Sequence, residues 1–158
     1  MSDKSVLWLD NDLFFINPYK EKLEETGYCV SVVKKVSDAE KLLRSRRFDL
    51  FILDVMIPTL NDAEEVDYPP SDTDNGHKTG LLFYLRLKEH LVTAGTPVLV
   101  FSVLIDRQIQ TAFVENGLPA ENFVPKMDVK LVADFSRVVE RVMLAVTVLQ
   151  SNAQVGAK

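Results

Sequence analysis

The chain has 158 residues, a length typical of one domain, and 47% of them are hydrophobic, as in globular proteins. Its single cysteine, Cys29, excludes an internal disulfide framework and fits a reducing compartment. The net charge of −5 argues against a broad nucleic-acid-binding surface, and no apolar run approaches the roughly 20 residues of a membrane span. The sequence has no signal-peptide pattern. We therefore expect a cytoplasmic protein that binds neither nucleic acid nor a membrane.

Strand and helix patterns alternate five times along the chain, which predicts an α/β fold with a parallel sheet and right-handed crossovers. The third and fourth strands are apolar almost throughout, as expected for strands covered on both faces. The predicted strands lie near residues 6–9, 28–33, 48–53, 98–101 and 122–124. The predicted helices cover about 18–26, 38–46, 80–91, 107–116 and 129–150.

Local signals predict where the helices begin and end. Asn17, which precedes Pro18, is the predicted N-cap of the first helix, and Gly27 is its predicted stop. Ser37 and Thr79 are the predicted N-caps of the second and third helices. These signals place a single domain at residues 1–150 and a polar C-terminal tail at residues 151–158.

Residues 59–78 interrupt this pattern as an inserted acidic loop with no periodicity and six carboxylates. A loop of this length inside a compact domain is usually functional or disordered. A calcium loop that starts at Asp72 fails, because Phe83 stands where the bidentate glutamate is required. A flexible acidic loop without a ligand, and a partner-recognition loop or lid, both remain open.

Four predicted strands end on polar side chains, namely Asp10, Asp54, Ser102 and Lys126. Ligands of an open parallel sheet bind outside the carboxyl ends of its strands, so we expect these four groups to converge. Carboxylates form acyl-phosphate intermediates, which makes Asp54 a candidate nucleophile. A hydroxyl and a lysine ammonium suit the oxygens of a phosphoryl group.

The acidic turn of Asp10, Asn11 and Asp12 supplies oxygen atoms for a metal ion. Mg²⁺ commonly binds one or two carboxylates together with the phosphate of a substrate. The same tripeptide is also typical of an ordinary surface turn, because Asp and Asn favour turns. Together with Asp54, it predicts a magnesium site.

In these motifs the chain resembles the receiver domains of bacterial two-component response regulators over about residues 5–150. The resemblance implies a (βα)5 flavodoxin-like fold, a doubly wound five-stranded parallel sheet in the order 2-1-3-4-5. It implies that Asp54 is the phosphoacceptor and that Lys126 binds the phosphate. It also implies that Ser102 is a switch hydroxyl and that Phe123 is a switch aromatic, which turns inward on phosphorylation.

For the metal ion, the resemblance implies that Asp10, Asn11, Asp12 and Asp54 form the Mg²⁺ site, together with the backbone carbonyl of Met56. Asn11 stands where the family usually has a second acid. One charge pair is worth on the order of 4 kcal/mol at a near-surface dielectric, so we expect weakened Mg²⁺ binding, which Asp12 would partly restore. Val103, directly after Ser102, replaces a small residue and would narrow access for the phosphate.

The resemblance also implies the partners. They are a histidine kinase or phosphotransfer protein, a downstream protein that the sequence does not identify, and a second copy bound through the helix 4–β5–helix 5 face. At most, the chain would catalyse its own phosphorylation from a phosphodonor and a slow self-dephosphorylation.

Two alternative functions stay open at this point. One is a degenerate receiver that binds partners without phosphorylation, which Asn11 and Val103 favour. The other is a phosphatase of the haloacid dehalogenase type, whose first motif, a strand followed by Asp-x-Asp, would make Asp10 the nucleophile. The phosphatase leaves Asp54 without a role, and a helix is predicted after Lys126 where that family needs a further strand.

Overall fold

A computed structural model describes residues 3–59, 66–104 and 106–156. Five strands and five longer helices alternate in it, which confirms the predicted alternation. The strands are β1 (Lys4–Leu9), β2 (Tyr28–Val33), β3 (Leu50–Leu53), β4 (Val98–Ser102) and β5 (Phe123–Pro125). The helices are α1 (Leu13–Glu25), α2 (Val36–Ser45), α3 (Thr79–Ala94), α4 (Arg107–Glu115) and α5 (Val132–Gly156). A one-turn helix covers Pro70–Thr73, and 3₁₀ turns cover Ala120–Asn122 and Lys126–Asp128.

The strands form one parallel sheet in the order β2-β1-β3-β4-β5. This confirms the doubly wound α/β fold with strand order 2-1-3-4-5. The order reverses between β1 and β3, and a ligand site is expected at the carboxyl ends of the strands beside such a reversal. All of the carboxyl ends lie at one edge, because every pair of neighbouring strands is parallel.

The two faces of the sheet carry separate hydrophobic cores. Neighbouring residues of β1 illustrate this, because Leu7 belongs to the core under α2, α3 and α4, whereas Trp8 belongs to the core under α1 and α5. Both side chains are fully buried. Successive side chains of a strand point to opposite faces, so a sheet covered on both sides needs strands that are apolar at every position.

The start of α1 differs from the prediction. The helix begins at Leu13, and its N-cap is Asp12, whose Oδ1 accepts the backbone N–H of Phe15 at 3.1 Å. Asn17 is therefore not the cap, and Pro18 lies inside the helix. A proline there loses one helical hydrogen bond, but burial of the helix face, including Ile16 and Leu23, stabilises the longer helix.

The predicted caps of the next two helices are also wrong. The N-caps are Lys35 and Lys78, and neither makes a side-chain capping hydrogen bond. The helix α2 starts at Val36, which is 1% exposed, so burial of this side chain favours an early start. The Thr79 hydroxyl donates to the carbonyl of Gly76 at 3.2 Å instead of capping α3.

The last helix is longer than predicted. It runs from Val132 to Gly156, so residues 151–156 of the predicted polar tail are helical, and residues 157–158 lie outside the described residues. Gly27 follows α1 with a φ of 95°, which confirms the predicted stop. Within the described ranges, no helix has the length and hydrophobicity needed to cross a membrane.

Residues 66–78 of the inserted loop are packed against the domain. Tyr68 is 6% exposed, and its ring centre lies 6.4 Å from that of Phe83. The Arg86 guanidinium lies 4.3 Å from the centre of the Tyr68 ring. Thr73 is fully buried, and its hydroxyl accepts the Gly76 N–H at 3.3 Å. One aromatic anchor and a hydrogen-bonded turn therefore hold this part of the loop against the domain. Residues 60–65 lie outside the described residues.

Candidate functional site

Two buried carboxylates stand at the carboxyl edge of the sheet, one after β1 and one after β3. The backbone N–H of Asp10 donates to Val33 at 3.0 Å, and that of Asp54 donates to Leu9 at 2.9 Å. These bonds continue the sheet one residue beyond each strand and so fix where each side chain leaves it. Asp10 is fully buried and Asp54 is 3% exposed.

Lys126 joins the two acids. Its Nζ lies 2.8 Å from Oδ2 of Asp10 and 3.6 Å from Oδ2 of Asp54. It also lies 5.0 Å from the ring centre of Phe15 and 5.9 Å from that of Phe101, within the range of cation–π attraction. The structure therefore brings together three of the predicted site residues in a buried cluster of two acids and one base.

Ser102 is the last residue of β4 and is fully buried. The β4–β5 register pairs it with Pro125, directly before Lys126, and its Oγ accepts the Leu104 N–H at 3.3 Å. This places the hydroxyl at the predicted edge, where it holds the start of the β4–α4 loop. Val103, which follows it, has a largely exposed side chain.

Phe123 on β5 packs into the core beneath α4. It is 6% exposed, and its ring centre lies 5.7 Å from that of Phe113. The resemblance implies an inward turn of this ring on phosphorylation, but the described conformation already has it inside.

The predicted metal ligands fall into two sets. Asp10 and Asp54 are buried, whereas Asn11 and Asp12 are exposed at the rim. Asp12 is committed to the backbone, because its Oδ1 caps α1 and its N–H donates to Oδ1 of Asp10 at 2.8 Å. If Asp12 bound the metal ion in place of the acid that is missing at position 11, its carboxylate would have to give up the cap of α1. Met56 is half-buried, and its N–H reaches Oδ1 of Asp54 at 3.4 Å.

The electrostatics of the cluster follow from one surplus carboxylate. Burial, together with the nearby charge of Asp54, raises the pKa of Asp10 to about 6, although Lys126 acts in the opposite direction. A carboxyl between one negative and one positive neighbour keeps a raised pKa when the desolvation penalty dominates. The cluster carries one more carboxylate than lysine, so an added cation would stabilise it.

This arrangement fits Mg²⁺. Among residues 3–59, 66–104 and 106–156, no cluster of three or more His, Cys, Asp and Glu side chains is placed to hold a metal ion. Mg²⁺ does not need such a cluster, because it commonly uses one or two carboxylates, water and a phosphate. Asp10 and Asp54 supply two carboxylates with hard oxygen donors, and together they carry one more negative charge than Lys126 balances. They can therefore serve as the protein ligands of Mg²⁺.

Gly80 is a site residue that the sequence analysis missed. A Cβ at this position would lie 2.2 Å from the carbonyl oxygen of Asp54 and 2.6 Å from the Cα of Val55. Its N–H donates to the Val55 carbonyl at 2.8 Å, which ties α3 to the loop after β3. Glycine disfavours a helix, so a glycine in the first turn of α3 indicates another reason for its presence. Close backbone packing is such a reason, and this was the signal that the sequence offered.

No protein-family model and no curated protein sequence matches the chain. Solved structures do. A CheY-like response regulator receiver domain protein from Methanospirillum hungatei is similar with a TM-score of 0.69 at 16% identity, covering 92% of this chain and 98% of that one. The beryllofluoride-activated NtrC4 receiver domain dimer has a TM-score of 0.66 at 20% identity, covering 90% and 98%.

A third solved structure is a response regulator from Burkholderia pseudomallei with a phosphorylated aspartic acid, a calcium ion and citrate. It has a TM-score of 0.63 at 17% identity and covers 99% of this chain and 76% of that one. The identities are low, but the similarity spans nearly the whole chain and agrees with the strand order. The chain has the fold of the response regulator receiver domains.

Proposed function

We propose that the chain is a phosphorylation-controlled signalling receiver that accepts a phosphoryl group on Asp54. A histidine kinase or a phosphotransfer protein would be the donor, and an unidentified downstream protein would read the result, in the cytoplasm. The observation that carries this proposal is the buried cluster in which Lys126 lies within 4 Å of both Asp10 and Asp54. The solved structure with a phosphorylated aspartic acid has the same fold and supports it.

The chemistry is an in-line phosphoryl transfer. A carboxylate oxygen of Asp54 forms the new bond to phosphorus as the bond between phosphorus and the donor histidine nitrogen breaks, and the imidazole leaves. The protein contributes mainly position and charge, as in other phosphoryl transfers. Lys126 stabilises the negative charge on the phosphoryl oxygens. Mg²⁺, held by Asp10, Asp54 and the Met56 carbonyl, would supply further positive charge between the two anionic reactants.

The signal would leave the site through Ser102. Its Oγ now accepts the Leu104 N–H, and its O–H can still donate to an oxygen of a phosphoryl group on Asp54, which would draw the Ser102 side chain and the bonded loop toward the site. Leu104 is half-buried against the core beneath α4, so a shift of this loop reaches α4. The response is then a population shift between two arrangements of the β4–α4 loop.

The main alternative is a degenerate receiver that binds partners without phosphorylation. The exposed Asn11, which replaces an acid, is the observation that favours it. The phosphatase alternative has less support, because among the described residues β5 is the last strand and α5 follows it.

Treatment with acetyl phosphate and Mg²⁺, followed by intact mass, separates these functions. We expect wild type to gain one phosphoryl group, Asp54→Ala to gain none, and the exposed control Asp72→Asn to behave as wild type. Unmodified wild type under conditions that label other receivers would favour the degenerate receiver. Labelling of Asp54→Ala to the same extent as wild type would show that another residue is the phosphoacceptor. After the donor is removed we expect slow loss of label, because the apolar Met56 and Leu104 are poorly suited to hold a hydrolytic water.

A further inference from the structure

The C-terminal part of α5 is uncharged although it is exposed. The α5 extension, residues 142–156, contains no Asp, Glu, Lys or Arg. Its exposed apolar side chains include Leu144, Val148, Leu149 and Val155, which are 58–76% exposed. A helix that is apolar on several sides is ordinarily covered by other protein. The α5 extension therefore needs a partner that covers it.

A groove runs along one side of this extension, at the end of the sheet opposite the Asp54 site. It encloses about 470 Å³ and lies between the α5 extension, the last turns of α3 and residues 117–122. Apolar side chains, among them Leu91, Pro119 and Leu149, form most of its walls. Its charged lining residues are Lys88 and Glu121, which have opposite signs. Lys88 is bound to Oδ1 of Asn116 at 2.8 Å.

We propose that the α5 extension and this groove form an interface between two copies of the chain. The extension of each copy would lie in the groove of the other. A groove with apolar walls and balanced charges selects an uncharged apolar occupant, and the α5 extension is such a segment. Because the helix and the groove are adjacent on one surface, a two-fold axis brings each helix to the partner's groove in a self-complementary contact.

The size of this surface falls within the range of stable interfaces. The 15 residues of the α5 extension and the 13 other lining residues of the groove set an upper bound of 28, several of them, such as Leu91 and Leu118, already buried in the core. A stable interface uses roughly 20–30 residues a side. By contrast, α4 contributes Val114, 39% exposed, to the large exposed hydrophobic side chains of the described residues. Of the two helices, the α5 extension thus presents more exposed apolar side chains than α4, and the groove beside it lies at the edge of the sheet remote from Asp54.

Sedimentation velocity over a range of concentrations tests the proposal, with reducing agent present because Cys29 is exposed. The variants are Val148→Glu and Leu149→Glu, each of which places a charge in the interface. Val66→Glu, 80% exposed in the inserted loop, is the matched control. Val114→Glu tests the helix 4–β5–helix 5 face. Far-UV circular dichroism verifies that each variant is folded.

We expect wild type to dimerise without any phosphodonor, and Asp54→Asn to dimerise equally. The two variants in the α5 extension should weaken dimerisation roughly tenfold or more, while Val66→Glu and Val114→Glu leave it unchanged. A wild-type monomer at every concentration would overturn the proposal. So would a dimer that survives both extension variants, or one that only Val114→Glu disrupts.

Discussion

At the residue scale, the site is defined by two buried acids that share one base. Removing one acid from such a cluster leaves a balanced pair of Lys126 and Asp54, whereas removing the base would leave two buried negative charges. Unpaired buried charge is strongly destabilising. We therefore expect the cluster to be less stable than a balanced pair would be, and added positive charge would stabilise it.

Asp10→Asn should increase stability near neutral pH. The carboxyl of Asp10 has a pKa raised from 3.8 to about 6, so the folded chain holds a proton that the unfolded chain releases between about pH 4 and 6. Wild type therefore loses stability as pH rises through that window, and the variant does not. We expect urea unfolding with EDTA to show the variant about 1–3 kcal/mol more stable at pH 7.5.

At pH 4 the same comparison should show a much smaller difference. The exposed Asp72→Asn serves as the control and should leave stability unchanged at both pH values. A difference between Asp10→Asn and wild type that does not depend on pH would contradict this account of Asp10.

Asn11→Asp should tighten the binding of Mg²⁺. The amide at position 11 is exposed at the rim, beside the buried acids, and a carboxylate there adds one negative charge toward the metal ion. Because one charge pair is worth about 1 kcal/mol in water and about 4 kcal/mol near a protein surface, we expect a roughly tenfold or greater decrease in the Mg²⁺ concentration for half-maximal labelling by acetyl phosphate. Asp12→Asn should change this concentration little, because Asp12 is used as the cap of α1. If wild type and Asn11→Asp needed the same Mg²⁺ concentration for half-maximal labelling, the assignment of residue 11 to the metal site would be contradicted.

At the element scale, α3 supports the site through its first turn. The Gly80 N–H is bonded to Val55, and the absence of a Cβ lets the helix touch the backbone of Asp54. The inserted loop strengthens the same contact, because Tyr68 packs on Phe83 of α3 and the hydroxyl of Thr79 closes the preceding turn. The insertion thus lengthens the connection between β3 and α3 without separating α3 from Asp54.

Gly80→Ala should disturb both stability and phosphorylation. A methyl group 2.2 Å from a backbone oxygen forces the start of α3 away from Asp54, and overpacking of this kind costs about 1–3 kcal/mol. We expect a lower urea midpoint and slower labelling of Asp54 by acetyl phosphate. Gly156→Ala is the control, since nothing lies within 4 Å of its added Cβ. Labelling of Gly80→Ala at the wild-type rate would argue against this role of the contact.

At the scale of the whole molecule, the sequence predicted the features that depend on hydrophobic periodicity. The alternation of strands and helices and the polar strand ends follow from patterns that each strand carries by itself. Local patterns did not predict that the helices start at Leu13, Val36 and Thr79. Burial of the helix faces outweighed the local capping signals at Asn17 and Ser37. The anchoring of Tyr68 depends on a contact with Phe83, which no local pattern contains.

The two cores on either side of the sheet should unfold together. Trp8 reports on the core under α1 and α5, where its ring centre lies 5.2 Å from that of Phe135, while Phe83 belongs to the opposite core. Both cores depend on the same five strands, so loss of one exposes the other. We expect Phe83→Leu to lower stability by about 1–2 kcal/mol and to shift the urea transition of Trp8 fluorescence as far as that of far-UV circular dichroism. If the fluorescence transition stayed at the wild-type midpoint while the circular dichroism transition moved, the two faces would be separate folding units.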